Sequence, residues 1–364
     1  MKTININEKT NWETIIIGAG QAGLAAGYHL LKAGEDFVII DAAENIGDSW
    51  RKRWDSLRLF TPSQYDSLPG FSFPALKNTM PTKDEVADYL EKYTEKFKLP
   101  VRMGEKVNHL SGMQPGFELA TDKGILKCKR VIVATGTNPQ PRIPEFAKDL
   151  DKNIHQIHSS QYLNPDSLPK GSVLVVGAGT SGVEIAIELA KSRHTYISGH
   201  PTFHIPDPVF RYAGRLYWWF ASNILTVKTP IGRKAKKSIL KGGGPLINVS
   251  VKDLVDAGVE QVSRMAGVEG GQPEFEDGRK ETISSIVWAT GFKPDFSWID
   301  LKVTDEKNGW PITKRGVSTE VNGMYFIGML FQYGLTSGLV GGVGRDAAFI
   351  ARHIQQNNNS LPES

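Results

Sequence analysis

The chain has 364 residues, enough for two domains with separate cores, and carries a net charge of +4 with a single cysteine, Cys128. That balance is too weakly basic for a nucleic-acid footprint, and one cysteine excludes a disulfide framework, a CxxC redox pair and a cysteine-rich metal site. No metal-ligand spacing occurs, and the polar start MKTININEKTNWE lacks the basic-then-apolar order of a signal peptide. The most apolar later run, RLYWWFASNILTV, is too short and interrupted to span a bilayer. The expectation is a soluble, cytoplasmic protein.

In chain order, the first predicted element is a strand, IIIGAGQAGLAAG (15–27), that ends in GxGxxG and runs into a helix. A second strand, FVIID, closes on Asp41. Next come the segment IGDSWRKRWDSLRLFTP and a capping-box pattern, Thr82 and Glu85, that opens another helix. NHLSGMQPGFELATDKGILKCK reads as antiparallel hairpins, and VIVATGTNP (131–139) is an apolar strand ending in ATG. Pro-rich stretches between residues 137 and 170 read as linkers. Then the opening pattern returns as VLVVGAGTSGVEIA (173–186), followed by IVWATGFKP (286–294) as a second ATG strand. VNGMYFIGM supplies a further strand, a glycine-rich turn follows, and GRDAAFIARHI a last helix.

The two glycine loops superpose without a gap. Gly18, Gly20 and Gly23 fall on Gly177, Gly179 and Gly182. A tight strand-to-helix turn alone would explain one copy. Two matched copies point to dinucleotide binding, because the first glycine permits the turn and the second lets backbone approach a pyrophosphate. The third lets helix pack on strand. The helix N-terminus, with free N–H groups and a partial positive charge, receives the diphosphate. The order GxGxxG, ATG, GxGxxG, ATG predicts an α/β fold of two Rossmann-like dinucleotide-binding domains, one inserted into the other. The expected division is a first part at 1–137, a linker at 138–165, the inserted domain at 166–290 and the returning part at 291–364.

These motifs, taken together, resemble the flavin-containing monooxygenases and their small bacterial relatives, nearly end to end. The resemblance implies FAD on the first loop, with Gln21, Ala22, Asp41, Ser49, Trp50 and Arg58 joining its glycines. It implies NADPH or NADH on the second, with Thr180 and Ser181 beside its glycines. Asp41 suits a ribose without a 2′-phosphate, and the gapless overlay puts His200 at the matching place, where no acid repels one. Trp50 competes with an ordinary core reading. YWWF (217–220) reads first as helix packing and second as the wall of an apolar substrate path, and GRKAKK (232–237) as a solvated basic face or a 2′-phosphate contact. A helix starting between Ser337 and Gly344 is carried over as pointing its N-terminus at the flavin.

The implied reaction takes electrons from the nicotinamide through the flavin to dioxygen and a small soft nucleophile such as a sulfide. Two departures weaken it. The family fingerprint FxGxxxHxxx(Y/F) survives at His158 and Tyr162, whereas Lys152 and Ile154 replace its Phe and Gly. Phe60 stands where amine-oxidising members have an asparagine at the reactive flavin edge, which predicts partial uncoupling. The alternatives are an NAD(P)H:acceptor oxidoreductase without oxygenation and a regulatory flavoprotein coupled to ion transport. The partners expected are the substrate and dioxygen, with no nucleic acid, no membrane span, and a homodimer left open.

Overall fold

The computed structural model describes residues 6, 8–137, 140–240 and 244–358. Asn138 and Pro139, the end of the first ATG segment, lie outside them.

The chain opens with β1 (Asn11–Ile17), α1 (Gln21–Lys32) and β2 (Phe37–Ile40). After a long irregular segment, α2 (Lys83–Phe97) starts at Thr82, whose hydroxyl accepts from Glu85 N at 3.1 Å while the Glu85 carboxylate accepts from Thr82 N at 2.8 Å. The expected capping box is present. β3 (Val101–Arg102) is followed by the antiparallel strands β4 (Val107–Met113), β5 (Gly116–Thr121) and β6 (Gly124–Val133), which are the hairpins read from the sequence.

Beyond the first crossing come β7 (His155–His158), β8 (Val173–Val176), α3 (Thr180–Ala190) and β9 (Thr195–Ser198). Two helices then run in succession, α4 (Asp207–Asn223), broken at Ala213, and α5 (Pro230–Leu240). β10 (Glu260–Val262) and β11 (Ser285–Trp288) complete this region, and the chain returns through β12 (Met324–Phe326) to α6 (Gly344–Asn358).

Two parallel sheets result. In the first the order is β3-β2-β1-β6-β12, with the hairpin strands extending from the early half of β6. In the second it is β10-β9-β8-β11-β7. The orders are the same once each domain's own strands are counted. The outermost strand of each sheet comes from chain on the far side of a crossing: β12 follows the insertion and β7 precedes the second glycine loop.

β7 corrects one expectation. Residues 155–158 fall inside the stretch read as linker, yet they pair in parallel with Ser285–Trp288 and belong to the second sheet.

Alternation of side chains across each sheet builds two cores per domain. Ile16, Ile39 and Ile132 face one side of the first sheet, while Ile15, Ile17, Val38 and Val131 face the other. In the second, Val173, Val175 and Val287 oppose Leu174, Val176 and Ile286. Burial on both faces explains why these strands read as unbroken apolar runs.

Candidate functional site: two dinucleotide loops joined by an aromatic seam

Each glycine loop is locked to the ATG segment of its own domain. Gly18 has φ +110° and Gly177 +108°, a region that strains any residue with a side chain. Gly18 N donates to Ile40 O and Ala134 N to Ile17 O, both at 2.8 Å; Gly177 N to Ser198 O and Ala289 N to Val176 O repeat the pattern at 2.8 Å. A Cβ on Gly18 would sit 2.5 Å from Ala134 O, and one on Gly177 2.4 Å from Ala289 O. On Gly23 and Gly182 it would meet Gly18 O and Gly177 O at 1.8 and 1.9 Å. Gly20 and Gly179, the helix N-caps, have nothing within 4 Å of that position. The space in front of each helix is therefore open. No side chain caps either helix, which leaves the N–H groups at Gln21–Gly23 and Thr180–Gly182 to meet a diphosphate.

The strand ends differ in one respect. Asp41 follows Ile40, and its carboxylate accepts from Ala19 N at 2.6 Å and Ala43 N at 2.8 Å, bracing the first loop. The parallel register matches Ile40 with Ser198, so the position equivalent to Asp41 is Gly199, and exposed His200 lies one residue further on. The sequence overlay was off by one here because α3 has 11 residues against 12 in α1, while the connections to the next strand are equal in length. Gly199 has φ +117°, which disfavours an aspartate at that point.

The segment after Asp41 stitches the domains together. Gly47 starts the short helix Asp48–Arg51, which leaves Ser49 exposed and Trp50 packed on the first domain's core. Four residues later Trp54 is buried in the second domain's core. Asp55 N donates to Leu163 O at 2.8 Å, and Asn164 Nδ2 to the Asp55 carboxylate at 2.7 Å. Arg58 is exposed and donates to Met80 O at 3.0 Å. Half-buried Phe60 joins Tyr65 against Trp218, Ala221 and Ile247, an aromatic seam between this segment and α4. YWWF divides accordingly: Tyr217 and Trp218 pack inward, whereas Trp219 and Phe220 are exposed. A cleft of about 360 Å³ lies along the seam, lined by Thr61, Tyr65, Trp218, Trp219, Thr336 and Leu339 among others.

Three features here escaped sequence reasoning. Asp66 is buried, accepts a hydrogen bond from the Thr61 hydroxyl through one oxygen, and leaves the other unpartnered. Burial pushes its carboxyl up to about 7, against the lowering effect of Thr61. Asn248, at φ +63°, reaches across the seam and donates from Nδ2 to Phe60 O at 3.4 Å. No local pattern announces either residue, since Asp66 is defined by its burial and Asn248 by a partner from another segment. The third is the role of the half-preserved fingerprint. His158 is fully buried with Nε2 3.0 Å from Gly291 O and Nδ1 2.9 Å from Ser160 Oγ. A carbonyl can only accept, so Nε2 carries the proton, and burial lowers the pKa and keeps the ring neutral. Tyr162 donates to Glu188 at 2.9 Å, and Ile154 fills core where the fingerprint has glycine.

Cys128 is buried, with its thiol pushed up to about 12, and is the sole cysteine. Intramolecular dithiol chemistry is therefore unavailable. No cluster able to hold a metal occurs among the described residues, and no helix among them is long and apolar enough to cross a membrane.

Two open helix N-termini behind matched glycine loops define a protein built for two dinucleotides. The chain belongs to the pyridine nucleotide-disulphide oxidoreductase family, whose model matches residues 15–207. It is a flavin-dependent oxidoreductase of the flavin-monooxygenase fold, with FAD and NADPH as cofactors. It is 40% identical to an uncharacterized CzcO-like oxidoreductase of Geobacillus kaustophilus over 94% of this chain and 98% of that one. A probable indole-3-pyruvate monooxygenase of Arabidopsis thaliana, YUCCA8, is 27% identical over 93% of this chain and 88% of its own length. Among solved structures, the flavin-containing monooxygenase of Stenotrophomonas maltophilia superposes with TM-score 0.77 at 26% identity, over 96% of this chain and 100% of that one.

Proposed function

We propose that the protein is an NAD(P)H-dependent monooxygenase that oxygenates a small soft nucleophile such as a sulfide and releases part of its reducing equivalents as hydrogen peroxide. FAD is assigned to the Gly18 loop and the nicotinamide coenzyme to the Gly177 loop. The parts at 1–137 and 291–364 then form the FAD domain, and the inserted part the NAD(P)H domain. The observation that carries the reading is the open space at Gly20 and Gly179, each in front of an uncapped helix. Asp41 favours FAD on the first loop, since a carboxylate there opposes a 2′-phosphate; its absence at Gly199 and His200 admits NADPH on the second.

When bound, the flavin supplies the redox chemistry, and the chain supplies position and shelter from water. The Gln21–Gly23 and Thr180–Gly182 N–H groups hold the diphosphates, and Asp41 braces the first loop. Trp218 and Tyr65 give the cleft an apolar wall, and Phe60 packs in the same seam. The Phe60 ring offers no hydrogen bond at the reacting edge, which supports incomplete coupling and favours a plain NAD(P)H oxidase as the second reading. The Asn248 amide gives one of its two N–H groups to the Phe60 carbonyl.

The test is steady-state NADPH oxidation by the FAD-loaded protein with a panel of sulfides, measuring sulfoxide and hydrogen peroxide per NADPH. Sulfoxide together with substantial peroxide supports the reading. Peroxide alone with every substrate moves it to the oxidase, and negligible turnover moves it to a regulatory flavoprotein.

A further inference from the structure

The outer side of α4 and α5 has no packing partner among the described residues and an unusual composition. Along α4, Tyr212, Leu216, Trp219 and Phe220 are all exposed, with Leu216 at 65% and Trp219 at 55%. Beyond the break at Ala213, the spacing of three and one places Leu216, Trp219 and Phe220 on one stripe of the helix, opposite Tyr217, Trp218 and Ala221, which pack on the aromatic seam; Tyr212 is exposed just before the break. A single exposed leucine means little, but a stripe of large apolar side chains on a helix already packed through its other face does.

α5 follows after the connection 224–229, which is held by Val227 N to Tyr333 O at 2.8 Å and Leu335 N to Leu225 O at 2.9 Å. Both helices pack on the turn Leu335–Gly338, so they share one support. Gly232 and Ile239 turn inward, while Arg233, Lys234 and Lys237 are exposed between exposed Ile231 and Leu240. Lys234 and Lys237 have no carboxylate partner among the described residues. From residue 208 to residue 252 the sequence holds nine Lys and Arg and no Asp or Glu, against a net +4 for the whole chain.

We propose that this face docks on an anionic lipid bilayer surface, with the α4 stripe entering the headgroup boundary and the α5 cations pairing with lipid phosphates. Aromatic and aliphatic side chains next to unpaired lysines form the two-part signal of an interfacial helix. Charge decides the occupant. A second copy docked through the same face would set cation against cation with no acid on either side, because a two-fold interface is made of like patches. Docking of this kind needs no spanning segment.

The experiment is flotation of the FAD-loaded protein with vesicles of equimolar phosphatidylglycerol and phosphatidylcholine, compared with phosphatidylcholine alone. Binding to the anionic vesicles only, released by added salt, is the expected result. The triple variant Arg233→Gln, Lys234→Gln, Lys237→Gln should partition on the order of 100-fold more weakly, at about five-fold per cation. The double variant Tyr212→Ser, Leu216→Ser should also lose binding, yet keep its FAD and its NADPH oxidation rate in buffer, which separates loss of docking from loss of fold. No flotation, equal flotation with neutral vesicles, or binding untouched by both variants overturns the proposal. So does a concentration-dependent dimer in lipid-free sedimentation that the double variant abolishes, which would assign the face to a second copy.

Discussion

Gly18 lies against Ala134 so closely that a methyl group on the glycine would stand 2.5 Å from the alanine carbonyl oxygen, and Gly177 repeats the relationship with Ala289 at 2.4 Å. The loop that receives a dinucleotide and the segment that leaves for the other domain are one packed unit. A side chain at either glycine meets backbone and must also adopt a positive φ, a strain of roughly 1–3 kcal/mol before the clash is counted.

Gly18→Ala should therefore yield protein that is colourless or loses its flavin on gel filtration. Gly177→Ala should stay yellow but be reduced by NADPH far more slowly. Absorbance of the purified variants and anaerobic stopped-flow reduction check this. The reverse pattern would exchange the two cofactor assignments.

Coenzyme choice is tested at His200 rather than at Gly199, whose φ of +117° penalises any side chain. His200→Arg should favour NADPH and His200→Asp NADH. The readout is the ratio of kcat/KM for the two coenzymes. A change smaller than ~3-fold, under 1 kcal/mol, would place His200 away from the ribose.

Phe60→Asn should lower the hydrogen peroxide released per NADPH oxidised. A hydrogen bond to a charged group contributes about 1.5–3 kcal/mol, one to two decades in a decay rate. The same change removes a ring from the Trp218–Ala221–Ile247 seam, so a lower melting temperature should accompany it. An unchanged peroxide yield in a folded, FAD-loaded variant would remove Phe60 from the reacting edge.

Asp66 makes stability depend on pH. Its carboxyl is raised to about 7 in the folded chain, so the folded state holds this proton when the unfolded state has lost it. Stability falls as pH rises from about 4 towards 7, by at most roughly 4 kcal/mol, and levels off above. Asp346 and Glu184 are raised in the same direction by burial, so the informative quantity is the difference from a variant. The melting temperature of Asp66→Asn, relative to the parent, should climb across this range. A constant difference would mean that Asp66 is already ionised when folded.

The doubled domain was legible because a glycine loop is a local requirement: close backbone contacts fix its first and third glycines, and the offset between copies is visible by eye. The insertion was legible from the order of the loops and ATG strands. β7 was not, since HQIH has little apolar content and becomes a strand only by pairing with Ser285–Trp288. The His200 overlay failed because α3 is one residue shorter than α1, a difference in helix length that no glycine or strand pattern marks. Asp66 and Asn248 stayed hidden because the burial of the first and the distant partner of the second, Phe60, are set by tertiary packing.

The two crossings between the domains also bond to each other. Gln140–Pro141 pairs antiparallel with Phe292–Lys293, Arg142 N donates to Gly291 O at 2.9 Å, and the Thr290 hydroxyl donates to Arg142 O. Two strands joined side by side make a strap rather than a pair of strings. A strap resists being slid or splayed and yields most easily to twisting about its length, so reorientation of one domain against the other is confined to a narrow set of directions. His158 ties the root of that strap to the second sheet through Gly291 O. Any swing that carries the Gly177 loop toward or away from the Gly18 loop turns about this strap, which puts its axis within a few residues of both ATG segments.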